Sequence, residues 1–542
     1  MGSKKRATSR GRSWWVRCGV GLVGVVWVGL VATYARRRRS VRFAASPKVF
    51  EPNPEVVPTP DTPRPEVVPK PAPPHEAPPK PEELEAPRAR PPEPKTREKV
   101  GVAISSASGA GTEYAMELDP RTGLWVPVWW EGGVREDESI FLMIASYRDF
   151  QCRETIASAL SRARVPTNVK IAVVQQNREG DVGCAEPVKP CAEAPDQPLC
   201  RFGPQIAVYE MAADEASGPV YARHVGSRMY RGEAFALQVD AHCTFVADWD
   251  VDILAQWRAT QNDMAVLSTY LTDVEGSLAP SGTSLRKTRP IMCNSDFEGS
   301  GATSYLRHNS QPEAVPSIPD CPMLQPFWAA GFSFGRGHFV TTVKYDCCLP
   351  MVFMGEEISI GIRGWTHGYD FYAPRASVVF HEYAQHSRRR RDVPKFWETR
   401  RLKRPANSGQ ASLKRLTALI GMGPDVLDYD RTLLDEYGLG TKRDVLQFYK
   451  LFLLDVKNKR AQPLCRFVES GAMHREFSKF LTPHGVDYSK IDFDVQAFLD
   501  DRLYAPVATR LRRAISQPHN LRPALAALKV ALRAMCTNWK NP

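Results

Sequence analysis

Four short, nearly uninterrupted apolar runs limit what this chain can fold into: Ile140 to Ser146 (IFLMIAS), Val169 to Val174 (VKIAVV), Ile206 to Val208 and Ala234 to Val239 (AFALQV). Runs of this kind predict strands buried on both faces, as in parallel sheets. Between the first two, Ile156, Ala159, Leu160 and Ala163 recur at helical spacing and Pro166 stops the helix, so the unit reads strand, helix, strand. Ser217 can cap a second helix that opens near Pro219 and closes at Gly232. Ala265 to Thr269, Phe327 to Phe334 and Ser377 to Phe380 predict further strands. Gly355 to Gly368 predicts a helix with Ile358, Ile362 and Trp365 on one face. The stretch from Gly276 to Pro322 reads as loop, and the chain is helical from about residue 405. The class is α/β. In open α/β sheets ligands bind outside the carboxyl ends of the strands, so chemistry is expected after Ser146 and after Val239.

The N-terminal part cannot build a core. Cys18 to Ala35 is uncharged over 18 residues, with Trp14 and Trp15 just before it and Tyr34 near its end, which suits a single membrane span. Basic residues stand on both sides of it, so charge does not decide orientation. An uncleaved signal-anchor and a cleaved signal peptide both fit, and four arginines directly after the run favour the anchor. Residues 47 to 94 hold 18 of the 45 prolines with no periodic apolar face, the composition of an extended spacer. The expected organisation is a tail (1–17), a transmembrane segment (18–35), a proline-rich stem (36–100) and a linker or domain edge (101–137). A catalytic domain (138–400) and a helical extension (401–542) follow. A tether, a stem and a globular unit form the layout of a single-pass, type II enzyme facing the lumen of the Golgi or ER.

Cysteine and charge add detail. Of 12 cysteines, Cys184, Cys191 and Cys200 crowd one loop rich in Pro, Glu and Gly, which predicts disulfide staples rather than zinc because no paired CxxC is present. The net charge of +12 is concentrated beside the apolar segment and in a run from Arg388 to Arg391 followed by Arg400, Arg401, Lys403 and Arg404. That run reads either as a solvated face or as a loop closing over an anionic ligand. No nucleic-acid module accompanies it, so nucleic acid is not expected as a partner.

Asp240-Ala241-His242 follows the fourth apolar run. In an extended chain, residues two apart point to one side, so a carboxylate and an imidazole can converge on one divalent ion. A mixed carboxylate and imidazole set suits Mn²⁺, which also accepts phosphate oxygens. By itself the tripeptide is a weak signal, because Asp-X-His occurs by chance in many chains and a surface turn accounts for it more simply. Glu356-Glu357 at a helix start is explained equally by the helix dipole.

The segment ARHVGSRMYRGEAFALQVDAHCTFVADWD resembles the donor-binding core of retaining GT-A glycosyltransferases, with an Arg helix, a Gly turn, an apolar strand and then Asp-X-His. IFLMIASYRD resembles the first strand and nucleotide turn of that group. The segment from Phe327 to Pro374, with its Gly-Phe-Ser-Phe, Tyr-Asp and Gly-Glu-Glu elements, resembles the acceptor side, and VVFHEYAQH resembles the segment with a distal histidine. The nearest likeness is to the polypeptide N-acetylglucosaminyltransferases that modify hydroxyproline or threonine. Polypeptide N-acetylgalactosaminyltransferases are more remotely similar.

The resemblance implies a GT-A, Rossmann-like α/β domain and transfer of GlcNAc from UDP-GlcNAc to a Ser, Thr or hydroxyproline hydroxyl of a Ser/Thr- and Pro-rich protein. It implies Asp240, His242 and His381 as metal ligands, with Mn²⁺ as the ion. It places Ser146, Arg148 and Asp149 at the uridine end, and Arg223 at the ribose or diphosphate. Trp328 and Gly331 fall at the sugar, although core packing explains Trp328 equally well, and one of Glu356 and Glu357 orients the acceptor or the sugar hydroxyls. His381 lies 139 positions from His242, so only the fold can join them. The membrane run and the Cys-rich insertion depart from the cytoplasmic hydroxyproline-modifying members and favour a secretory-pathway Ser/Thr acceptor. Another UDP-sugar, a glycan acceptor, or a carbohydrate-binding protein without turnover are the alternative readings.

Overall fold

In the computed structural model the described residues are 100–104, 112–301, 304–398, 408–423, 426 and 428–500, all within one unit that runs from Pro92. The expected membrane run at 18–35 and the stem through residue 99 lie outside them. Among the described residues no helix is long and apolar enough to cross a membrane.

The chain starts with a three-stranded antiparallel sheet of β1 (Val100–Ile104), β2 (Thr112–Leu118) and β3 (Trp125–Pro127), where the sequence reads as linker. The four apolar runs then form β4 (Ile140–Tyr147), β5 (Val169–Asn177), β6 (Ile206–Ala212) and β7 (Phe235–Asp240). Helix α1 (Cys152–Arg162) connects β4 to β5, and α2 (Pro219–Ser227) precedes β7. β8 (Cys243–Phe245), α3 (Trp249–Arg258) and β9 (Ala265–Ser268) follow, then β10 (Met323–Leu324) and β11 (Phe332–Arg336). Helix α4 (Glu356–Thr366), β12 (Asp370–Ala373) and β13 (Val379–His381) complete the central region.

Eight of these strands make one sheet in the order β10-β12-β9-β11-β7-β4-β5-β6. β7, β4, β5 and β6 are mutually parallel, whereas β11 runs antiparallel to both β7 and β9. The apolar character of β4 and β5 follows from burial on both faces: Leu142, Ile144, Val173 and Val174 are all fully inside.

Several boundaries differ from the sequence reading. Ser217 does not cap α2; Gly218, at φ +105°, holds the cap position, and the helix ends at Ser227 rather than running to Gly232. Only a glycine takes that φ without strain, which is why the backbone turns there. The aromatic segment is a strand only from Phe332, because Phe327 to Ala330 approach the sheet as a buried, irregular lead-in. The loop-like stretch from Gly276 carries two small hairpins, Arg289–Pro290 with Glu313–Ala314 and Ser295–Glu298 with Tyr305–His308. After residue 408 short helices alternate with two-stranded β pairs, and Leu416, Phe448, Phe467 and Phe477 join the same apolar core as the sheet.

The Cys-rich loop is stapled, though not by its own three cysteines alone. Cys191 pairs with Cys200 inside it, and Cys184 reaches Cys152 at the start of α1. A third disulfide, Cys293–Cys465, closes 172 positions and ties the C-terminal helices to the sheet side. Cross-links over long segments restrict the unfolded chain. Replacing both cysteines of this pair by serine is expected to cost about 2–5 kcal/mol in a urea unfolding measurement.

Candidate active site

Every strand of the parallel set ends on the same side, and the site forms there. β7 stops at Asp240, which stands opposite Ala145 of β4. The chain turns at once into β8, and β13 pairs antiparallel with β8 so that His381 lies opposite Cys243. This pairing carries His381 across 139 positions to His242: their Nε2 atoms are 2.7 Å apart. Asp240 Oδ2 is 3.4 Å from His381 Nε2. The donor atoms of the three residues lie within 4.8 Å of one another.

The surroundings hold these groups in a defined state. His242 Nδ1 donates to Asp149 Oδ2 at 2.9 Å, which leaves Nε2 with a lone pair facing His381. Burial, then the adjacent His381, lowers the His242 pKa to about 4, so the ring is neutral at physiological pH. Burial alone would raise the Asp240 carboxyl, but the hydrogen bond from His381 and the charge of Arg223 hold it well below the usual carboxylate range. His381 Nδ1 is buried with no hydrogen-bond partner. Two imidazoles and an ionised carboxylate that gather within a few ångströms, fixed from behind by a carboxylate, fit a divalent transition-metal cation.

Arg223, on α2, bridges two acids. It meets Asp240 Oδ1 at 3.0 Å and also pairs with Glu356 Oε1 at the start of α4. Glu356 is buried, its second oxygen has no partner, and burial lifts its carboxyl to about 7 against the pull of Arg223. Glu357 is engaged on both oxygens: Oε1 accepts from the Ala330 backbone at 2.8 Å and Oε2 from the Tyr270 hydroxyl at 2.8 Å. The adjacent pair therefore divides, Glu356 toward Asp240 and Glu357 under the Ala330–Gly331 turn. A Cβ on Gly331 would stand 3.4 Å from Asp240 Oδ2, so the missing side chain keeps space open beside the carboxylate.

The remaining expected residues are placed as follows. Asp149 belongs to the site through His242. Arg148 does not pair with its neighbour; at φ 50° it turns away and makes a two-pronged contact with Asp181 in the Cys-rich loop, at 2.7 and 2.9 Å. Ser146 is buried at the end of β4 with an unpartnered hydroxyl. Trp328 is 1% exposed and its indole donates to Ser333 Oγ at 2.8 Å, so its ring packs in the core beneath the site rather than facing a sugar.

Sequence reasoning missed the individual roles within the arginine run. Helix α5 (Arg388–Arg391) lies over the site: Arg390 reaches Asp149 Oδ2 at 2.7 Å and Gln151 Oε1 at 3.2 Å, while Arg389 pairs with Glu382 and Glu154. The run of four arginines was visible, but which of them turns inward depends on an acid 241 positions away. Tyr270 and Tyr383 were also missed. The Tyr383 ring lies 4.0 Å from that of His381, and its hydroxyl donates to Leu271 O at 2.8 Å.

One histidine beside the site carries a pH prediction. His224, next to Arg223, is buried, donates from Nδ1 to Tyr345 O at 2.8 Å and accepts from Arg228 Nε at 3.0 Å. Burial, then Arg228, lowers its pKa to about 3 from an unperturbed 6.5. Between those values the unfolded chain binds the proton and the folded one does not, so stability rises with pH across that window. Stability is expected to fall steadily as pH drops from about 6.5 toward 3, with a shallower slope for His224→Gln in urea midpoints.

No curated protein matches the chain. Among solved structures, GalNAc-T7 with UDP, GalNAc and Mn²⁺ is 14% identical at TM-score 0.38, over 63% of this chain and 60% of that one. The chain thus spans 60% of the length of that structure. TarS 1–349 from S. aureus is 12% identical at TM-score 0.31, over 59% of this chain and 73% of that one. The mannosyltransferase PcManGT from Pyrobaculum calidifontis with GDP-Man and Mn²⁺ is 12% identical at TM-score 0.29, over 76% and 91%. The family model described as Glycosyltransferase (GlcNAc) matches residues 139–196 and 187–458, from β4 through the helices that pack behind α4. That match takes in every residue of the site and more than half of the chain, which belongs to the Glycosyltransferase (GlcNAc) family of enzymes.

Proposed function

We propose that this chain is a GT-A type, retaining transferase that moves N-acetylglucosamine from UDP-GlcNAc to a Ser or Thr hydroxyl of a protein. The observation that carries it is the convergence of Asp240, His242 and His381 at the carboxyl end of the parallel strands, in a chain whose family is described by GlcNAc transfer. The three residues would hold a divalent ion, Mn²⁺ by its ligand chemistry, and the ion when bound supplies charge neutralisation for the leaving diphosphate.

The protein's own groups do the rest. His242 is kept neutral and oriented by Asp149. Arg223 keeps Asp240 ionised and holds α4 against α2 through Glu356. The open space at Gly331 lies beside Asp240 where the sugar would stand. Neither acid of the pair at α4 is arranged as a nucleophile, since Glu357 accepts two hydrogen bonds and Glu356 is buried against Arg223. Transfer with retention then proceeds on one face of the sugar: the bond from the anomeric carbon to the UDP oxygen breaks, and the bond to the acceptor oxygen forms. The acceptor proton passes to the departing phosphate oxygen. Positioning and electrostatics carry such a step.

The layout of the sequence supports anchoring through residues 18–35 with the enzyme facing the Golgi or ER lumen. The test is incubation of the chain with UDP-GlcNAc, Mn²⁺ and a Thr/Pro-rich peptide. UDP release with sugar on the peptide, abolished by EDTA, is the expected result. Release of UDP from another UDP-sugar only would overturn the donor assignment, and no release from any would overturn the enzyme reading.

A further inference from the structure

The segment from Tyr345 to Met351 packs against α2 and leads toward α4, and it contains two adjacent cysteines that none of the chemistry above uses. Cys347 Sγ and Cys348 Sγ are 2.7 Å apart, closer than two non-bonded sulfur atoms ordinarily stand. Other contacts clamp the segment on both sides of the pair. Tyr345 O accepts from His224, Met351 N donates to Ser217 O at 2.6 Å, and Ser412 Oγ donates to Pro350 O at 2.7 Å. The sulfurs are therefore held together by the surrounding fold.

A metal is the obvious rival, since Asp346 adjoins the pair. Its carboxylate is already taken. Oδ2 accepts from Arg415 Nε at 2.7 Å, and Oδ1 accepts from Arg415 at 3.1 Å and from Cys348 N at 2.8 Å. Arg415 is wholly buried, so Asp346 cannot leave it without stranding a buried charge. The three disulfides elsewhere in the described residues show that the fold tolerates oxidised cysteine and exploits it.

We propose that Cys347 and Cys348 are a reactive dithiol that closes to a vicinal disulfide by exchange with a small-molecule disulfide of the glutathione class. Cys347, the more exposed of the two, attacks first as its thiolate. It forms a mixed disulfide and releases one thiol of the donor. The Cys348 thiol, which the adjacent Cys347 and then burial push up, loses its proton in the second step and attacks Cys347 Sγ. The second donor thiol leaves. Two cysteine thiols are oxidised and one donor disulfide is reduced to two thiols. Consecutive Cα atoms are only about 3.8 Å apart across a trans peptide, short of the usual disulfide span. The ring is therefore more easily reduced than the other three bridges.

The test reads mass and is independent of glycosyl transfer. The full chain is incubated with oxidised glutathione, remaining thiols are capped, and the chain is digested with trypsin without reduction. The peptide from Tyr345 to Arg363 holds both cysteines and no other. It is expected uncapped and two hydrogen atoms lighter than the dithiol. In a graded series of reductant it should take up two caps before the peptides of the other three disulfides open. With Cys348→Ser, the reaction should stop with one glutathione on Cys347. Two caps regardless of oxidant, linkage to another peptide, or protection of both thiols by added zinc without loss of hydrogen would each overturn the proposal.

Discussion

Asp240→Asn is expected to lower glycosyl transfer by roughly 10³-fold while leaving the fold intact. The substitution keeps the shape of the side chain and removes the one ionised oxygen donor of the Asp240, His242, His381 set. Charge stabilisation by a bound ion is worth several kcal/mol, and ~4 kcal/mol corresponds to about three powers of ten in rate. Arg223 retains Glu356 as its partner, so the cost in stability should be small. The measurement is UDP release at saturating donor across a Mn²⁺ titration, beside a thermal melt. Loss of rate that excess Mn²⁺ partly restores fits a ligand role. An unchanged rate in a folded variant would remove Asp240 from the site.

Arg223→Met is the second large effect, and it acts on stability. Arg223 is 7% exposed and Glu356 is 3% exposed, with Asp240 on the other side of the guanidinium. Removing the cation strips the ionised Asp240 and the buried Glu356 of their shared partner, and breaking a buried pair in this way costs about 3–5 kcal/mol. A double variant, Arg223→Met with Glu356→Gln, replaces the partnerless buried acid by an amide and should recover a good part of the loss in urea unfolding. A single substitution that costs less than about 1 kcal/mol would mean that the pair is solvated and holds nothing together.

The positions that could be read from sequence are those where one local property decides. β4, β5, β6 and β7 are legible because a strand buried on both faces must be apolar along its length. Asp240 and His242 are legible as a pair only through the resemblance of the surrounding segment, because two residues at the end of an apolar strand also fit a surface turn. Residues whose role depends on a remote partner were harder. Arg148 and Asp149 are adjacent, yet one turns to Asp181 and the other to His242 and Arg390. Trp328 reads equally as a platform for a sugar and as core, because an aromatic in an apolar segment suits both settings, and the structure buries it. The arginine run looked uniform, and only the placement of Asp149 and Glu382 separates Arg390 and Arg389 from their neighbours.

By itself, then, the sequence determined the α/β class, the apolar strands and their succession along the chain, and the strand end at which chemistry gathers, since these follow from periodicity and burial. The tertiary structure alone decided three things. It paired β13 with β8, which brings His381 to His242; it set Arg223 between Asp240 and Glu356; and it chose Cys152 for Cys184. These contacts join residues from 17 to 139 positions apart along the chain. No local pattern encodes such a contact, because the distance that matters is fixed only when the sheet closes its register.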